Sequence, residues 1–111
     1  MESYVSKEVA KLLHENGFEA KDKTDACPTL KMAQEWLADK HHLFVVVEPD
    51  DMGSAGFRNS LYQKVDGQLK SRGCHSSKVY DTEDACALAG VEFLLKYTIP
   101  LIKHEKKLQW M

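Results

Sequence analysis

Hydrophobic positions near the C-terminus repeat with helical spacing over the longest stretch of the chain, from Val79 to Lys103. Asp81 or Thr82 can cap this predicted helix, because a short side-chain oxygen accepts a hydrogen bond from an amide of the first turn. The apolar arc is wider than the stripe of an ordinary surface helix. Either two other elements cover it, or part of it faces another subunit. Pro100 predicts that the regular helix ends or kinks near Thr98, because proline lacks an amide and clashes with the preceding turn.

Three small residues in this helix, Ala85, Ala89 and Gly90, allow a neighbouring strand or helix to approach closely. Two charges, Glu92 and Lys96, lie one turn apart and form a mutually stabilising pair. The apolar run is short for a bilayer span and is interrupted by these charges. The sequence therefore predicts no membrane-spanning segment.

Two shorter amphipathic helices are predicted in the N-terminal half. The first runs from its N-cap Ser6 to about Asn16. The second follows the N-cap Thr29 and carries apolar residues on one side and charged residues on the other. It ends at His41 and His42, where a cationic imidazole is favoured by the negative end of the helix dipole.

Three strands are predicted between these helices and the C-terminal one. Residues Leu43 to Val47 form a short apolar, β-branched run that is typical of a buried central strand. The stretch Asp50–Ser60 is rich in Gly, Ser and Asp and predicts a loop. Leu61 to Val65 alternates, and the Asp-Gly pair after it predicts a hairpin whose return strand reaches Tyr80.

The elements follow the order α-α-β-β-β-α, which predicts an α+β protein. We expect a two-layer sandwich in which helices pack on one face of a three-stranded antiparallel sheet, because such a sheet cannot bury both faces alone. The 111 residues are typical of a single domain, residues 1–111. For the charged end, residues 104–111, the pattern leaves open a further helical turn or a frayed tail.

Composition narrows the function classes. A hydrophobic fraction of 43% and a charged fraction of 29% are typical of soluble globular proteins. The net charge of −2 gives no electrostatic reason to expect nucleic-acid or anionic-lipid binding. Three cysteines without a short paired spacing favour reduced thiols, and the N-terminus lacks a signal-peptide pattern. These features predict a cytoplasmic location.

Cys74 and His75 are the only adjacent thiol and imidazole in the sequence. A catalytic thiolate needs a base that lowers its pKa. Neighbouring residues on a strand point to opposite faces, so a base for Cys74 would have to come from a helix. An inert strand or loop is the favoured interpretation.

Metal binding has two candidate sites in the sequence. His41 and His42, with Cys27 or Cys74, could contribute to a zinc site, but no C-x-x-C or H-x-x-x-H spacing accompanies them. A solvated helix end is the favoured alternative. Three carboxylates that follow the predicted strand Leu43–Val47 could also hold a metal: Glu48, Asp50 and Asp51. The loop after this strand, however, lacks a phosphate-binding glycine motif.

A basic cluster near the C-terminus adjoins Trp110. Nucleic-acid binding requires such a patch together with aromatic residues. On an acidic protein a solvated helix end is the favoured interpretation of this cluster, which contains Lys103, His104, Lys106 and Lys107.

Two segments, T-L-K-M-A-Q-E-W-L-A-D-K-H-H-L-F-V-V-V-E-P and V-Y-D-T-E-D-A-C-A-L-A-G-V-E-F-L-L-K-Y, resemble a group of short uncharacterised phage and prophage proteins of gut bacteria. The resemblance covers about half of the chain. It implies a fold and a mobile-element origin but no reaction. The residues that match the pattern of this group are Pro28, Thr29, Trp36, Leu37, Tyr80, Glu83, Ala85 and Gly90. The C-terminal half also resembles small antitoxin-like and RNA-binding α+β modules.

The leading hypothesis is a non-enzymatic accessory protein, of phage or other mobile-element origin, that self-associates as a homodimer or binds a protein partner. It depends on the excess apolar surface of the C-terminal helix. One alternative is a small hydrolase or transferase that uses Cys74 or the Asp50–Ser60 loop. Another is an antitoxin-like nucleic-acid-binding module. No catalytic, cofactor-binding or metal-binding residue is assigned, and no cofactor is predicted.

Overall fold

A computed structural model describes residues 3–19, 28–49, 56–74 and 79–109 of the chain. The element order is α-α-β-β-β-α, where the last α is a continuous helical rod made of three pieces, and the α+β prediction is confirmed. We call residues 83–109 the C-terminal rod. The elements are α1 (Lys7–Glu15), α2 (Leu30–His41), β1 (Leu43–Pro49), β2 (Phe57–Val65), β3 (Gln68–Cys74), α3 (Glu83–Phe93), a π-helical turn (Leu94–Thr98) and α4 (Ile99–Gln109).

Each of the first three helices begins where the sequence places its N-cap. The Ser6 hydroxyl accepts a hydrogen bond from the amide of Val9 at 3.2 Å, and the Thr29 hydroxyl accepts one from Met32 at 3.1 Å. Thr82 caps α3 in the same way. These caps satisfy amides that have no partner inside the helix.

The sheet is antiparallel with the strand order β1-β2-β3. The Asp66-Gly67 turn joins β2 to β3, and both of its residues have positive φ, as a two-residue hairpin turn requires. β2, not β1, is the central strand, so the prediction of a central strand at Leu43–Val47 is wrong. An apolar run indicates that a strand is buried, but not which strands pair with it. β1 is buried by the helices that cover one of its faces, and not by strands on both sides.

The second strand is longer than the sequence predicts. β2 begins at Phe57, so the last four residues of the predicted Asp50–Ser60 loop are strand. β3 ends at Cys74, and Tyr80 returns to the sheet as a separate bridge, with mutual backbone hydrogen bonds of 2.8 and 2.9 Å to Phe57. The predicted hairpin partner is therefore confirmed over Gln68–Cys74 and at Tyr80, and residues 75–78 lie outside the described part of the chain.

Proline does not end the C-terminal helix. The amide of Ile99 bonds to the carbonyl of Leu94, five residues back, and the helix continues to Gln109. The regular α-helix gives way at Leu94, earlier than the predicted Thr98, to a wider π-helical turn that ends at Thr98, and regular helix resumes at Ile99. Such a turn accommodates a residue that cannot complete the usual ladder, because it shifts the hydrogen bonds by one position. Pro100 is the residue that forces the shift.

The core lies between the rod and the sheet, with α1 and α2 closing its sides. Gly90 marks the closest approach: a Cβ atom placed there would lie 2.6 Å from Val45 Cγ1 and 3.4 Å from Leu61 Cδ2. The prediction that small residues allow a strand to approach is confirmed at this position. The fully buried side chains of the core include Val9, Leu13, Leu37, Leu43, Leu61, Val91 and Leu94.

By length and composition alone, the segment Glu83–Leu108 could cross a membrane. The expectation that the apolar run is too short for a span is therefore wrong for its length, because the helix continues past Pro100. In the fold, 44% of the most apolar 18-residue window of this segment is buried inside the protein. The core helix of a soluble protein passes the same test of length and composition.

Candidate functional site

One face of α3 is left open by the sheet and the other helices. Its residues recur every three or four positions and, with Tyr80, line a shallow groove of about 500 Å³, which we call the α3 groove. The opposite side of the helix is buried against the core. The wide apolar arc predicted from the sequence is therefore covered on one side only. The helical residues of the groove are Ala85, Leu88, Ala89, Glu92, Phe93, Lys96 and Tyr97.

The α3 groove combines small and large apolar side chains. Ala85 is exposed and Ala89 is half-buried, so the middle of the groove is low. The rings of Phe93 and Tyr97 lie 5.0 Å apart at one end, and Tyr97 remains 60% exposed. A face of this composition can pack against another apolar surface, because exposed aromatic groups dominate the energetics of most protein contacts.

Two ionisable groups of the α3 groove, Lys96 and Tyr80, have pKa values that are raised further above neutral pH. Lys96 lies between the carboxylates of Glu8, at 2.8 Å, and Glu92, at 2.7 Å. The hydrogen bonds that the Lys96 ammonium donates to these two carboxylates raise the pKa of Lys96, so it stays cationic. Burial, together with nearby Cys86 and Glu92, raises the pKa of Tyr80. A general acid or base works best when its pKa lies near the working pH, and neither residue meets that condition.

The thiol whose side chain the structure describes is a core residue. The side chain of Cys86 has no exposed surface and is unpaired with another cysteine. Burial raises the pKa of its thiol, and a hydrogen bond with the Asn59 side chain partly offsets this. The same asparagine donates to the Cys86 carbonyl at 3.1 Å and links β2 to α3. A buried, protonated thiol is a poor nucleophile.

The thiol and carboxylate hypotheses depend largely on residues outside the described part of the chain. Cys27, His75 and residues 50–55 are among these, and Cys74 is described only as the last residue of β3, paired with Ser60. The hypothesis of a Cys74 or Asp50–Ser60 enzyme site therefore stays a prediction.

The two histidines of the zinc hypothesis have different surroundings. His41 packs edge-on against Trp36, with ring centroids 4.9 Å apart, and His42 is the exposed left-handed cap of α2. Within the described ranges, no group of three His, Cys, Asp or Glu side chains could hold a metal ion. Of the acidic candidates, Glu48 is exposed on β1, opposite Arg58 of β2.

The basic cluster of α4 lies next to these histidines. Lys103 and Lys106 line a pocket of about 320 Å³ together with His41 and His42. In the sequence the two groups have the pattern of separate solvated helix ends, and no local signal could have joined them, because the contact depends on how α4 docks. His104 and Lys107 are exposed on α4, and Trp110 lies outside the described residues.

The sheet has a second partly apolar face. Side chains alternate along each strand, so Phe44, Val46 and Tyr62 face away from the residues that contact the rod. Val46 is 38% exposed. Leu69 of β3, which pairs with Lys64 of β2, is 65% exposed. This face is more polar than the α3 groove, because serine, lysine and arginine residues occupy positions between the apolar ones.

Comparison of the chain with protein-family models, with curated proteins and with solved structures gave no match. The fold and the surfaces described above are therefore the grounds for any functional conclusion, and the resemblance to short phage proteins stays a prediction.

Proposed function

We propose that this protein is a non-enzymatic accessory factor that acts by binding protein surfaces, and that it forms a homodimer through the α3 groove. The supporting observation is the open apolar face of α3, which contains an exposed aromatic side chain, Tyr97, beside low-lying alanines. Contiguous exposed apolar surface on a soluble protein usually marks an interaction site. A cytoplasmic location and a phage or mobile-element origin belong to the same proposal and rest on the sequence.

A second copy of the chain is a good fit to this groove because the face is self-complementary. Two α3 helices that pair antiparallel about a two-fold axis can place Ala85 of each copy opposite Tyr97 of the other. The same register places Ala89 opposite Phe93, so that each large ring meets a small residue. An interface of this kind uses the same patch on both subunits, as two-fold dimers require.

The charged groups of the groove support the same arrangement. Glu92 and Lys96 already form an ion pair within one chain, so neither of these charges would be buried unpaired against a partner. Burial of an unpaired charge is a major cost of association, and this pair reduces it. Nucleic-acid binding is disfavoured at this groove, because its charged groups are a paired carboxylate and lysine and do not form a basic track.

Light scattering coupled to size-exclusion chromatography, over a wide range of protein concentrations, tests the proposal. The wild-type chain should have the mass of a dimer at high concentration. The double variant Ala85→Glu with Tyr97→Glu should be monomeric, because it would bring four like charges together at one interface. Both positions are exposed in the monomer, so the variant should keep its fold.

Leu69→Glu is the matched control, because Leu69 is about as exposed as Tyr97 but lies on β3, away from the groove. This variant should dimerise like the wild type. A wild-type chain that stays monomeric at every concentration contradicts the proposal. Loss of the dimer in the Leu69 variant alone would place the contact on the sheet and contradict the choice of the α3 groove.

A further inference from the structure

A second pocket, of about 320 Å³, lies where the end of α2 meets β2 and α4. Its polar lining is almost entirely basic, and we call it the basic pocket. Lys40, His41 and His42 come from the end of α2, while Lys103 and Lys106 come from α4. No carboxylate is among the described residues that line it. Three lysines therefore converge on one small volume of a protein whose net charge is negative.

The carboxylates nearest to the basic pocket in sequence are already paired. Glu105 receives two hydrogen bonds from the Arg72 guanidinium, at 3.0 and 2.9 Å, and these hold the pKa of its carboxyl below the usual value. Asp39 lies 3.7 Å from Lys40, and both side chains are largely exposed, so this pair is a weak one. The positive charge of the pocket is thus only slightly compensated by the protein itself.

A neutral donor completes the lining. Gln63 lies in the pocket wall, and its side-chain oxygen accepts a hydrogen bond from Arg72 Nε at 2.9 Å. Because the oxygen is used in this way, the amide nitrogen is the part of the side chain that can donate to a ligand. Ile99 and Ile102 supply an apolar portion of the wall.

The positive charges of the basic pocket affect the pKa of His41. Its pKa is lowered, first by burial and then by the charges of Lys103, His42 and Lys106. The lysines of α4 are therefore close enough to disfavour protonation of an imidazole on α2. A bound anion would reverse that effect, because an opposite charge nearby favours the protonated form.

We propose that the basic pocket binds a compact polyanion, of the chemistry of a phosphate group on a small molecule. The volume lies at the lower end of the range for small-molecule sites. The lysines supply charged donors, and the Gln63 amide supplies a neutral one. Helix-dipole stabilisation accounts for Lys40 and His41 at the end of α2. It does not account for Lys103, which lies in the middle of α4.

A compact ligand fits the pocket better than a nucleic-acid strand. Strand binding requires a basic groove that follows the backbone, usually with aromatic side chains on which bases stack. The charges of this pocket instead converge on one volume, the described residues that line it include no Phe, Tyr or Trp, and the Trp36 ring packs against His41.

Titration of the protein with inorganic pyrophosphate tests the proposal, by calorimetry and by NMR of the His41 imidazole. We expect saturable binding to one site, weakened by added salt, and a rise in the pKa of His41 when the site is filled. Lys103→Gln with Lys106→Gln should weaken binding at least about tenfold, because hydrogen bonds to a charged group are among the stronger ones. Both lysines are exposed, so the fold should be kept.

The matched control is Lys7→Gln with Lys11→Gln, which removes the same charge from exposed positions on α1. It should bind pyrophosphate like the wild type. An equal loss in this control, or the absence of saturable binding to the wild type, overturns the proposal. Tighter binding of a single-stranded oligonucleotide than of pyrophosphate, lost in the Lys103 and Lys106 variant, also overturns it in favour of a polymer ligand. A monomeric chain that still binds pyrophosphate would contradict the dimer alone, since the two sites are separate.

Discussion

Gly90 determines how closely the C-terminal rod can pack on the sheet. The two γ-methyl groups of Val45 fill the space where a larger side chain would begin, 2.6 and 3.2 Å from the point that a β-carbon on Gly90 would occupy. A glycine inside a helix costs stability in its own right. Its presence here is explained by the packing of β1 against α3.

Gly90→Ala should therefore destabilise the protein, although alanine is the better helix former. The gain in helix propensity is about 1 kcal/mol. Overpacking a filled site costs about 1–3 kcal/mol, and the Val45 side chain must move to make room. Chemical denaturation should give a lower free energy of unfolding for the variant than for the wild type.

Val45→Ala supplies the internal control for this substitution. In that background both Val45 methyl groups are gone and the ordinary contact with Leu61 Cδ2 at 3.4 Å remains, so Gly90→Ala should be neutral or stabilising. A double-mutant cycle that shows no coupling between the two positions would contradict the packing argument. So would a Gly90 variant that is more stable than the wild type.

The buried guanidinium of Arg72 links α4 to the sheet. The Arg72 side chain is 9% exposed and donates both to Glu105 of α4 and to Gln63 of β2. Gly73, whose φ is +103°, follows it at an irregularity where β3 and β2 shift their register. Such a bulge re-aims side chains, and here it accompanies the arginine that contacts the rod.

Arg72→Met should loosen α4 without unfolding the core. The variant keeps most of the side-chain volume but removes the hydrogen bonds to Glu105 and Gln63. Hydrogen exchange of the α4 amides should speed up by about tenfold or more, because their protection depends on docking. The amides of α3 should change little.

Lys64→Met, at an exposed position of β2, serves as the control for a lost positive charge. It should leave the exchange of α4 unchanged. Equal acceleration in α3 and α4 after the Arg72 substitution would show that the rod opens as a unit, contrary to the expected local loosening. The contribution of the Arg72–Glu105 pair should also be lost at acid pH, as the pH falls through the lowered pKa of Glu105.

The elements differ in how far they could be predicted from the sequence. The caps Ser6, Thr29 and Thr82 depend on groups within three residues; the first two were predicted correctly, and Thr82 was one of the two alternatives for the third. The position of β1 at the sheet edge depends on which strands pair, and apolar content does not encode that. The effect of Pro100 was predicted in part: a departure from the regular α-helix was expected, but not that a π-helical turn would come before the proline and that the helix would continue beyond it.

The candidate sites show the same division at the scale of the whole molecule. The α3 groove was predicted in outline, because the excess of apolar positions on one helix is a local property. The basic pocket was not, since it joins His41 to Lys103 only after α4 docks beside the end of α2. Each of those segments alone has the pattern of a solvated helix end, and only the fold brings their charges together.

Dimerisation through the α3 groove would also make the stability of the whole molecule depend on its concentration. Unfolding of a dimer releases two chains, so mass action stabilises the folded form at higher protein concentration. The Tm of the wild type should rise by about 3 °C for each tenfold increase in concentration, within the range where the dimer forms. Thermal unfolding followed by circular dichroism at several concentrations measures this rise.

The variant that carries Ala85→Glu and Tyr97→Glu separates loss of the dimer from loss of the fold. Its Tm should be independent of concentration and should equal that of the wild type at low concentration, where both are monomers. A wild-type Tm that does not vary with concentration would contradict the dimer. A variant Tm far below the dilute wild-type value would show instead that the open face of α3 contributes to the stability of the monomer.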